Sequence, residues 1–568
     1  MTHVDRGAAV TPLDPITLEI LFNGLRSVAD EAFIALMKSA YSTNIKERRD
    51  HSTAIMDPAG RLVVQAEMSL PIHLASMTGL MTSLLDKFGD DIRQGDIFVA
   101  NDPHVAGGTH LPDVNMAMPI FDGGALVGFI CNIAHHADIG GMAPGSMAGG
   151  MSEIYQEGLR IPVVKLFREG VLQDDLFELM LLNVRVPEER RGDYFAQIAA
   201  CRLGERRLQE LIESHGAATI AGVFDEIIER TAARMRAAVA ELPDGVYGFA
   251  DVMDDDGLGA VDIPIKVEIA VRGENIRFDF TGTAPQVRGN INLTRNATQA
   301  AVCYSLKALL DPDVPNNQGV LDLPELVIPE GSLLNASFPS PVAARANTCQ
   351  RIVDVVIGAL ADACPEAAVG AANGANTTAV FSGTDPRTGR NYVYLETLGG
   401  GFGGRASHDG KDGVQVHITN TSNLPVEAIE TEYPLRVDAY SFVEDSGGPG
   451  RHRGGLGLRR VIRPVGHDCI FSGAGERFSH RPWGIFGGGA GGVGQFHHQS
   501  AHGTLTKLAN KPNDIQVAQG EAVIVETPGA GGYGPAGERS DEDLARDRAS
   551  GKFSADYMKS NYARRATE

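Results

Sequence analysis

The chain has 568 residues, 43% of them hydrophobic and 21% charged, which are ordinary values for a folded protein of several domains. Its formal net charge of -22 argues against a nucleic-acid partner, because neutralising phosphates requires a basic surface. The six cysteines are scattered without a CxxC pair, so we expect reduced thiols rather than disulfides or a thiolate metal site.

No segment of the sequence predicts association with a membrane. The stretch MTHVDRGAAVTPLD at the start lacks the apolar core of a secretory signal. No uncharged apolar run is long enough to cross a bilayer. We therefore expect a cytoplasmic protein.

The first predicted element is an amphipathic helix that begins at Pro15, is capped by Asp14 and runs to about Ala40. A short hairpin follows, with strands on either side of the turn Asp57-Pro58-Ala59-Gly60. Asp50 lies in a very polar run just before this hairpin, and from the pattern alone it reads as a solvated turn residue. Residues 72–88 have helical spacing.

The polar residues between Asn101 and Asp138 form the most informative stretch of the chain. It reads NDPHVAGGTHLPDV, then two apolar strands around the turn Asp122-Gly123-Gly124, then CNIAHHADIGG. A hairpin folds its second strand back beside its first. This geometry therefore predicts that His135 returns to the neighbourhood of Asp113.

His110, Asp113 and His135 together offer two imidazoles and a carboxylate without a thiolate. Zinc, manganese and iron(II) all accept such a set. Clusters of this size are equally often hydrogen-bonded loop residues, so the pattern alone leaves both interpretations open. If His135 and His136 both lie on a strand, their side chains point to opposite faces of the sheet, so His136 points away from the cluster.

The remainder of the chain predicts an α+β, multidomain fold. An N-terminal α/β region with the metal site covers residues 1–173, and a helical segment covers 174–245. A β-rich, glycine-laden region with interspersed helices covers 246–535, and a charged helical tail covers 536–568. The glycine runs at 399–405 and 484–494 suggest phosphate cradles, but no GxxxxGK[ST] motif occurs, and turns explain these runs better.

Several motifs together resemble the hydantoinase B/oxoprolinase family. They are NIKERRDHSTA, NDPHVAGGTHLPDV, HHADIGGMAPGSM, ETLGGGFGGR, TNTSNLPVEAIE, DSGGPGRHRGGLG and TPGAGGYG. The family includes the B subunit of N-methylhydantoinase and the related large subunits of acetone and acetophenone carboxylases. The motifs run from near the N-terminus to the tail.

The resemblance implies a division of labour between two kinds of subunit. A separate hydantoinase A-type subunit would bind ATP with Mg²⁺ and phosphorylate the substrate oxygen, with two copies of each subunit in a hetero-oligomer. The B-type chain would hold a divalent metal (Zn, Mn or Fe), with water or bicarbonate attacking the activated centre. The expected activity is ATP-dependent opening of a cyclic amide such as a hydantoin, 5-oxoproline or a lactam. The alternatives are an ATP-dependent ketone carboxylase subunit and a non-catalytic scaffold.

The resemblance also assigns site residues. The metal ligands would be His110, Asp113, His135 and Asp50, which overturns the solvated reading of Asp50. Asp50 would also act in catalysis, supported by His136 and Asp138. The remaining assignments are to substrate binding: Asn101, Asp102, His104 and Glu153. His51 departs from the family pattern, which commonly has an apolar aromatic residue there.

Overall fold

The structure, a computed structural model, describes residues 14–562 and has an α+β, multidomain architecture with four sheets. The helices are α1 (Pro15–Ser39), α2 (Thr43–Lys46), α3 (Leu74–Phe88), α4 (Asp174–Leu182), α5 (Pro187–His215), α6 (Ala217–Ala240), α7 (Arg295–Leu310), α8 (Gln318–Leu321), α9 (Arg345–Leu360), α10 (Val426–Glu432), α11 (Asp541–Ser550) and α12 (Ala555–Tyr562). Short 3₁₀ turns are Pro71–His73, Gly89–Asp91, Ile154–Gln156 and Ala536–Glu538.

Strands of the first half are β1 (His51–Met56), β2 (Leu62–Gln65), β3 (Ile97–Ala100), β4 (Asp113–Asp122), β5 (Ala125–His135), β6 (Val164–Arg168), β7 (Val171–Leu172), β8 (Gly245–Asp255), β9 (Val261–Arg272) and β10 (Asn275–Asp279). Strands of the second half are β11 (Pro324–Val327), β12 (Thr377–Thr384), β13 (Asn391–Leu398), β14 (Leu435–Phe442), β15 (Leu458–Pro464), β16 (Cys469–Ala474), β17 (Gln495–Gln499), β18 (Leu505–Lys507), β19 (Ile515–Val517) and β20 (Ala522–Glu526).

The seven-stranded N-terminal sheet has the order β2-β1-β5-β4-β3-β6-β7, and every neighbouring pair is antiparallel. One face packs on α1, α5 and α6 through residues such as Ile55 and Ile130. The other face packs on α3 and α7 through residues such as Met56 and Phe129. Because both faces are covered, β4 and β5 are apolar on both sides instead of alternating.

The local predictions for this half of the chain are confirmed. Asp14 caps α1 by accepting the N–H of Thr17 at 3.0 Å, and the predicted hairpins form. The sequence predicts the second hairpin over residues 116–131, and the structure extends its strands to Asp113 and His135. The predicted domain bounds stay predictions, although one hydrophobic cluster joins the N-terminal sheet to β9, α7 and α9.

The other three sheets have the orders β11-β10-β9-β8, β13-β12-β16-β19 and β14-β15-β20-β17-β18. In β9 every second residue from Ile265 to Val271 is apolar, and Ile265, Val267, Ile269 and Val271 are all buried. The charged tail from Ser540 forms α11 and α12, as predicted.

The glycine runs of the C-terminal region contact one another through their backbones. Gly404 donates its N–H to Gly531, and Gly532 donates to Gly489. A Cβ on Gly403 would lie 1.8 Å from the carbonyl oxygen of Gly370, so only glycine allows this approach. The runs therefore build a layered backbone stack as well as turns.

Within residues 14–562 no helix is long and apolar enough to cross a membrane. All six cysteines lie in this described part of the chain, and none forms a disulfide there.

Candidate metal centre

The β4–β5 hairpin brings the predicted ligands together. Asp113 at the start of β4 lies directly opposite His135 at the end of β5. His110 precedes β4 in the loop that enters the sheet. One ligand atom from each of these three side chains lies within 4.8 Å of the others. All three side chains are buried, so the hairpin prediction from the sequence is confirmed at the level of individual residues.

Two buried atoms of this cluster lack a hydrogen-bond partner. The Nδ1 of His110 lies 2.9 Å from the carbonyl oxygen of Ala343, so Nδ1 carries the proton and donates it. Burial lowers the pKa of His110, so the ring is neutral and its Nε2 presents a lone pair. That lone pair faces Oδ1 of Asp113 at 3.2 Å, and neither atom makes a hydrogen bond. A lone pair and a carboxylate oxygen that face each other in a buried site can share a cation, so the residues fit a metal ion.

The second oxygen of Asp113 is fully engaged. Its Oδ2 accepts a hydrogen bond from Thr109 Oγ1 at 3.1 Å and is paired with the guanidinium of Arg345. Burial alone would raise the pKa of Asp113, but the positive charge around it, that of Arg345 included, outweighs burial and holds the pKa well below its ordinary value. Asp113 is therefore an anion with one oxygen free for a metal.

Asn44 fixes the orientation of His135. Its Nδ2 donates to the backbone carbonyl of His135 at 2.7 Å and lies 2.9 Å from Nδ1 of the ring. The buried guanidinium of Arg48 in turn donates to Oδ1 of Asn44. Burial holds the pKa of His135 well below its ordinary value, so this ring is also neutral.

Asp50 lies beside the three-residue cluster and is not one of its closely spaced members. Its backbone carbonyl accepts the N–H of His135 at 2.9 Å, which ties the residue to the end of β5. Its Oδ2 lies 3.8 Å from NH1 of Arg48. Burial raises the pKa of Asp50, partly offset by Arg48 and His73. The structure thus buries the residue that the sequence pattern alone reads as solvated.

His136 and Asp138 contact residues outside the cluster of His110, Asp113 and His135. The ring of His136 packs on Tyr194 with centroids 4.5 Å apart, and its Nε2 lies 3.0 Å from Oε1 of Gln197. It therefore points toward α5, as the alternation of a strand requires. Asp138 accepts N–H groups from Gly140 and Gly145, so it anchors the glycine-rich loop that covers residues 139–162.

The residues predicted to contact substrate hold loops in this structure. Asn101 donates to the carbonyl of Leu111 at 2.8 Å, next to His110. Asp102 pairs with Arg160, and Nε2 of His104 lies 2.9 Å from the carbonyl oxygen of Ser340.

Glu153 is exposed and caps the short turn Ile154–Gln156. The side chain of Glu153 is thus engaged at this turn and not at the cluster of His110, Asp113 and His135.

Sequence reasoning missed five buried residues around the cluster: Asn44, Arg48, His73, Arg345 and Glu157. Only weak signals marked them. His73 follows Leu-Pro-Ile at a predicted helix start, and Arg345 is a lone cation in VAARANTCQ. For Glu157, a charged residue of the glycine-rich loop, the sequence predicts an exposed position, but the structure buries it.

Glu157 supports His110 through the backbone. Its Oε1 accepts the N–H groups of Val342 and Ala343, both at 2.7 Å. The carbonyl of that same Ala343 accepts the proton on Nδ1 of His110. Burial raises the pKa of Glu157 to about 8, so its carboxyl group is neutral near pH 7.

Glu157→Ala is expected to weaken metal binding about 10–100-fold, because the peptide that orients His110 loses its two hydrogen bonds. Glu157→Gln keeps an acceptor oxygen in the same place and is expected to bind metal like the wild type. Titration calorimetry with zinc and manganese measures both variants. Equal affinity of the alanine variant and the wild type would contradict this role.

A comparison of the wild type with Glu157→Gln also tests the raised pKa of Glu157. Because the folded pKa of about 8 exceeds the ordinary 4.5, the stabilisation by the protonated carboxyl is complete below about pH 4.5 and disappears as the pH rises through about 8. The wild type should therefore lose stability relative to Glu157→Gln across that range. Urea unfolding midpoints at a series of pH values measure the difference, and parallel curves would rule it out.

Fold and site together define an α+β protein in which two histidines and one carboxylate that could hold a metal ion are buried together at the open end of a hairpin. The chain belongs to the hydantoinase B/oxoprolinase family, whose sequence profile matches residues 14–536. The resemblance drawn from the motifs is thereby confirmed.

Relatives and solved structures agree with this assignment. The chain is 35% identical over 552 residues to 5-oxoprolinase 1 of Arabidopsis thaliana, covering 92% of this chain and 42% of that longer protein. It is 31% identical over 567 residues to caprolactamase subunit beta of Pseudomonas jessenii, covering 97% and 96% of the two chains. The crystal structure of ATP-dependent caprolactamase from Pseudomonas jessenii superposes with a TM-score of 0.91 at 29% identity, covering 97% of this chain and 96% of that one. Acetone carboxylase in its nucleotide-free structure gives a TM-score of 0.89 at 19% identity, with 97% and 79% covered, which is a likeness of fold.

Proposed function

We propose that this chain is the metal-binding subunit of an ATP-dependent cyclic-amide hydrolase that opens a hydantoin, 5-oxoproline or a lactam. The observation that carries the proposal is the buried pair of acceptors, His110 Nε2 and Asp113 Oδ1, in a member of this family. A planar amide is a poor electrophile, so the ring must be activated before it is attacked.

Activation belongs to a separate ATP-binding subunit of the hydantoinase A type. The sequence of this chain has no GxxxxGK[ST] motif, and the similar caprolactamase chain is itself named as a subunit. The match to less than half of the plant 5-oxoprolinase leaves room in that longer protein for the activating part. Two copies of each subunit make up the proposed assembly, with ATP and Mg²⁺ bound by the partner.

His110, Asp113 and His135 would hold the divalent ion, which is zinc, manganese or iron. When bound, the ion would supply a Lewis acid that polarises an oxygen of the substrate or of its nucleophile. Asp50 provides a further buried carboxylate beside this set, as an additional oxygen ligand and as the acceptor of the nucleophile's proton.

The surrounding residues keep the ligands in their charge states and orientations. Arg345 and Thr109 occupy the second oxygen of Asp113, so that its first oxygen alone is offered to the ion. Asn101 and Asp102 support substrate binding indirectly, because their hydrogen bonds fix the loop that carries His110.

Asp138 fixes the glycine-rich loop beside the site, and His136 packs that end of β5 against α5. His104 and Glu153 lie on the outer loops, where they would meet substrate only as it enters.

The test mixes this chain with an A-type subunit, ATP and Mg²⁺ and follows ring opening of 5-oxoproline, hydantoin and caprolactam by chromatography. Ring opening is expected only when both subunits and ATP are present, and the isolated chain should show no ATPase activity. Bicarbonate-dependent carboxylation of acetone or acetophenone without ring opening would replace the hydrolase by the carboxylase alternative. Robust ATP hydrolysis by the isolated chain would contradict the division of labour.

A further inference from the structure

A cavity of about 520 Å³ lies apart from the candidate metal centre, and its volume is typical of sites that hold small organic molecules. Its walls come from β8, the C-terminal end of α9 and the glycine run that begins at Gly484. Helix α9 begins at Arg345 beside Asp113 and reaches the cavity at Gly358, about 20 Å further along at 1.5 Å per residue. The large side chains that line the cavity are mostly aromatic: Tyr247, Phe249, Trp483 and Phe486.

The polar groups of two of these aromatic side chains are already engaged elsewhere. The hydroxyl group of Tyr247 donates to the carbonyl oxygen of Pro243 at 2.7 Å. The indole N–H of Trp483 donates to Oδ2 of Asp251 at 3.1 Å, and Asp251 is itself paired with the guanidinium of Arg477. Both side chains therefore offer a ligand the faces of their rings rather than a hydrogen bond.

The two phenylalanine rings are held in place by packing. The ring of Phe249 lies against α9 at Gly358, where an added Cβ would be only 2.9 Å from the ring. It also packs on Trp483 with centroids 5.1 Å apart. The ring of Phe486 packs edge-on against Tyr533 with centroids 5.2 Å apart. The aromatic walls are thus formed in advance, and a ligand does not have to order them when it binds.

The electrostatic surroundings of the cavity favour a positive charge. Asp362 is exposed at the cavity and is the only charged side chain among the described residues that line it. Helix α9 ends at Leu360, so the partial negative charge of its C-terminal end is also placed here. The faces of aromatic rings are themselves electronegative and attract cations. Carboxylate, helix end and ring faces therefore all select for a cation.

We propose that this aromatic cavity binds a quaternary ammonium compound. The alkyl groups of such a cation contact ring faces and need no hydrogen-bond acceptor, which suits walls whose polar groups are already engaged. Asp362 would lie beside the positive charge, and the volume leaves room for an apolar substituent. This binding involves neither the metal cluster nor ATP, so it is independent of the proposed hydrolase activity.

Tryptophan fluorescence of the full chain reports on this cavity alone, because Trp483 is the only tryptophan in the sequence. The probes are choline and dimethylbutanol, the uncharged analogue of choline in which a carbon atom replaces the ammonium nitrogen. Choline is expected to change the emission of Trp483 with a Kd of about 1 mM or lower, and the alcohol to bind at least about tenfold more weakly. Titration calorimetry provides a second measurement of both values.

Two substitutions at the exposed side of the cavity separate the contribution of a ring face from that of the carboxylate. Phe486→Leu keeps an apolar side chain but removes the ring face, and should raise the Kd of choline about tenfold. Asp362→Asn should raise it about threefold, because an exposed charge is screened by solvent. The matched controls are Phe195→Leu in α5 and Asp322→Asn after α8, both exposed and outside the cavity, and neither should change the Kd.

Three results would each overturn the proposal. The first is equal binding of choline and dimethylbutanol, which would make the cavity apolar without a preference for charge. The second is the absence of any change in fluorescence or heat up to about 100 mM choline. The third is an unchanged Kd in Phe486→Leu, which would place the binding elsewhere. If that variant fails to fold, Asp362→Asn decides instead, and an unchanged Kd there would overturn the proposal as well.

Discussion

Asp113→Asn is expected to remove the bound metal and to lower the activity of the assembled complex by at least about 10³-fold. The substitution keeps the shape of the side chain but removes the negative charge between His110 and Arg345. A bound metal stabilises the charge that develops in the transition state by several kcal/mol. Because each 1.4 kcal/mol corresponds to a tenfold change in rate, losing this stabilisation lowers the activity by about 10³-fold. Elemental analysis of the purified chain and the ring-opening assay measure the two effects.

The same substitution at Asp122 is the matched control, because that residue ends the same strand and is exposed. Asp122→Asn should retain full metal content and full activity. A similar metal content in both variants would remove Asp113 from the ligand set. Full activity of Asp113→Asn in an intact complex would favour the non-catalytic scaffold instead.

Arg345→Met is expected to destabilise the fold by about 3–5 kcal/mol, the usual cost of leaving a buried charge without its partner. The guanidinium pairs with Asp113 and donates to Thr109 Oγ1 at 3.0 Å. Its removal leaves the buried carboxylate with the hydroxyl of Thr109 and the imidazoles of His110 and His73. The pKa of Asp113 should rise as a result, since Arg345 is among the groups that hold it down. Urea unfolding without added metal measures the loss.

Arg295→Met is the control for this experiment, because Arg295 is also the first residue of a helix but is exposed. It should change stability by less than about 0.5 kcal/mol. The double variant Asp113→Leu/Arg345→Met should recover much of the loss, since it leaves no unpaired charge. Additive losses in that double variant would show that the two side chains do not depend on each other.

The sequence predicted those parts of the site that depend on contacts close in the chain. The cap at Asp14 and the apolar spacing after it set α1. The turn at Asp122-Gly123-Gly124 predicted the hairpin of β4 and β5, and a one-residue shift of register between Ile120 and Phe121 brings Asp113 opposite His135. The family motifs added Asp50, which no local pattern distinguishes from a solvated turn residue.

Only the tertiary structure decided what surrounds those ligands. Arg345 meets Asp113 across 232 residues of sequence, and the carbonyl of Ala343 meets His110 across 233. Hydrophobic periodicity reports which face of a helix or strand is buried, but it carries no information about which other element covers that face. A buried arginine, glutamate or histidine therefore looks in the sequence like an exposed one, and its partner is fixed only when the sheets and helices pack. For this reason the cluster of His110, Asp113 and His135 could be predicted, whereas the groups that hold the charges and orientations of these side chains could not.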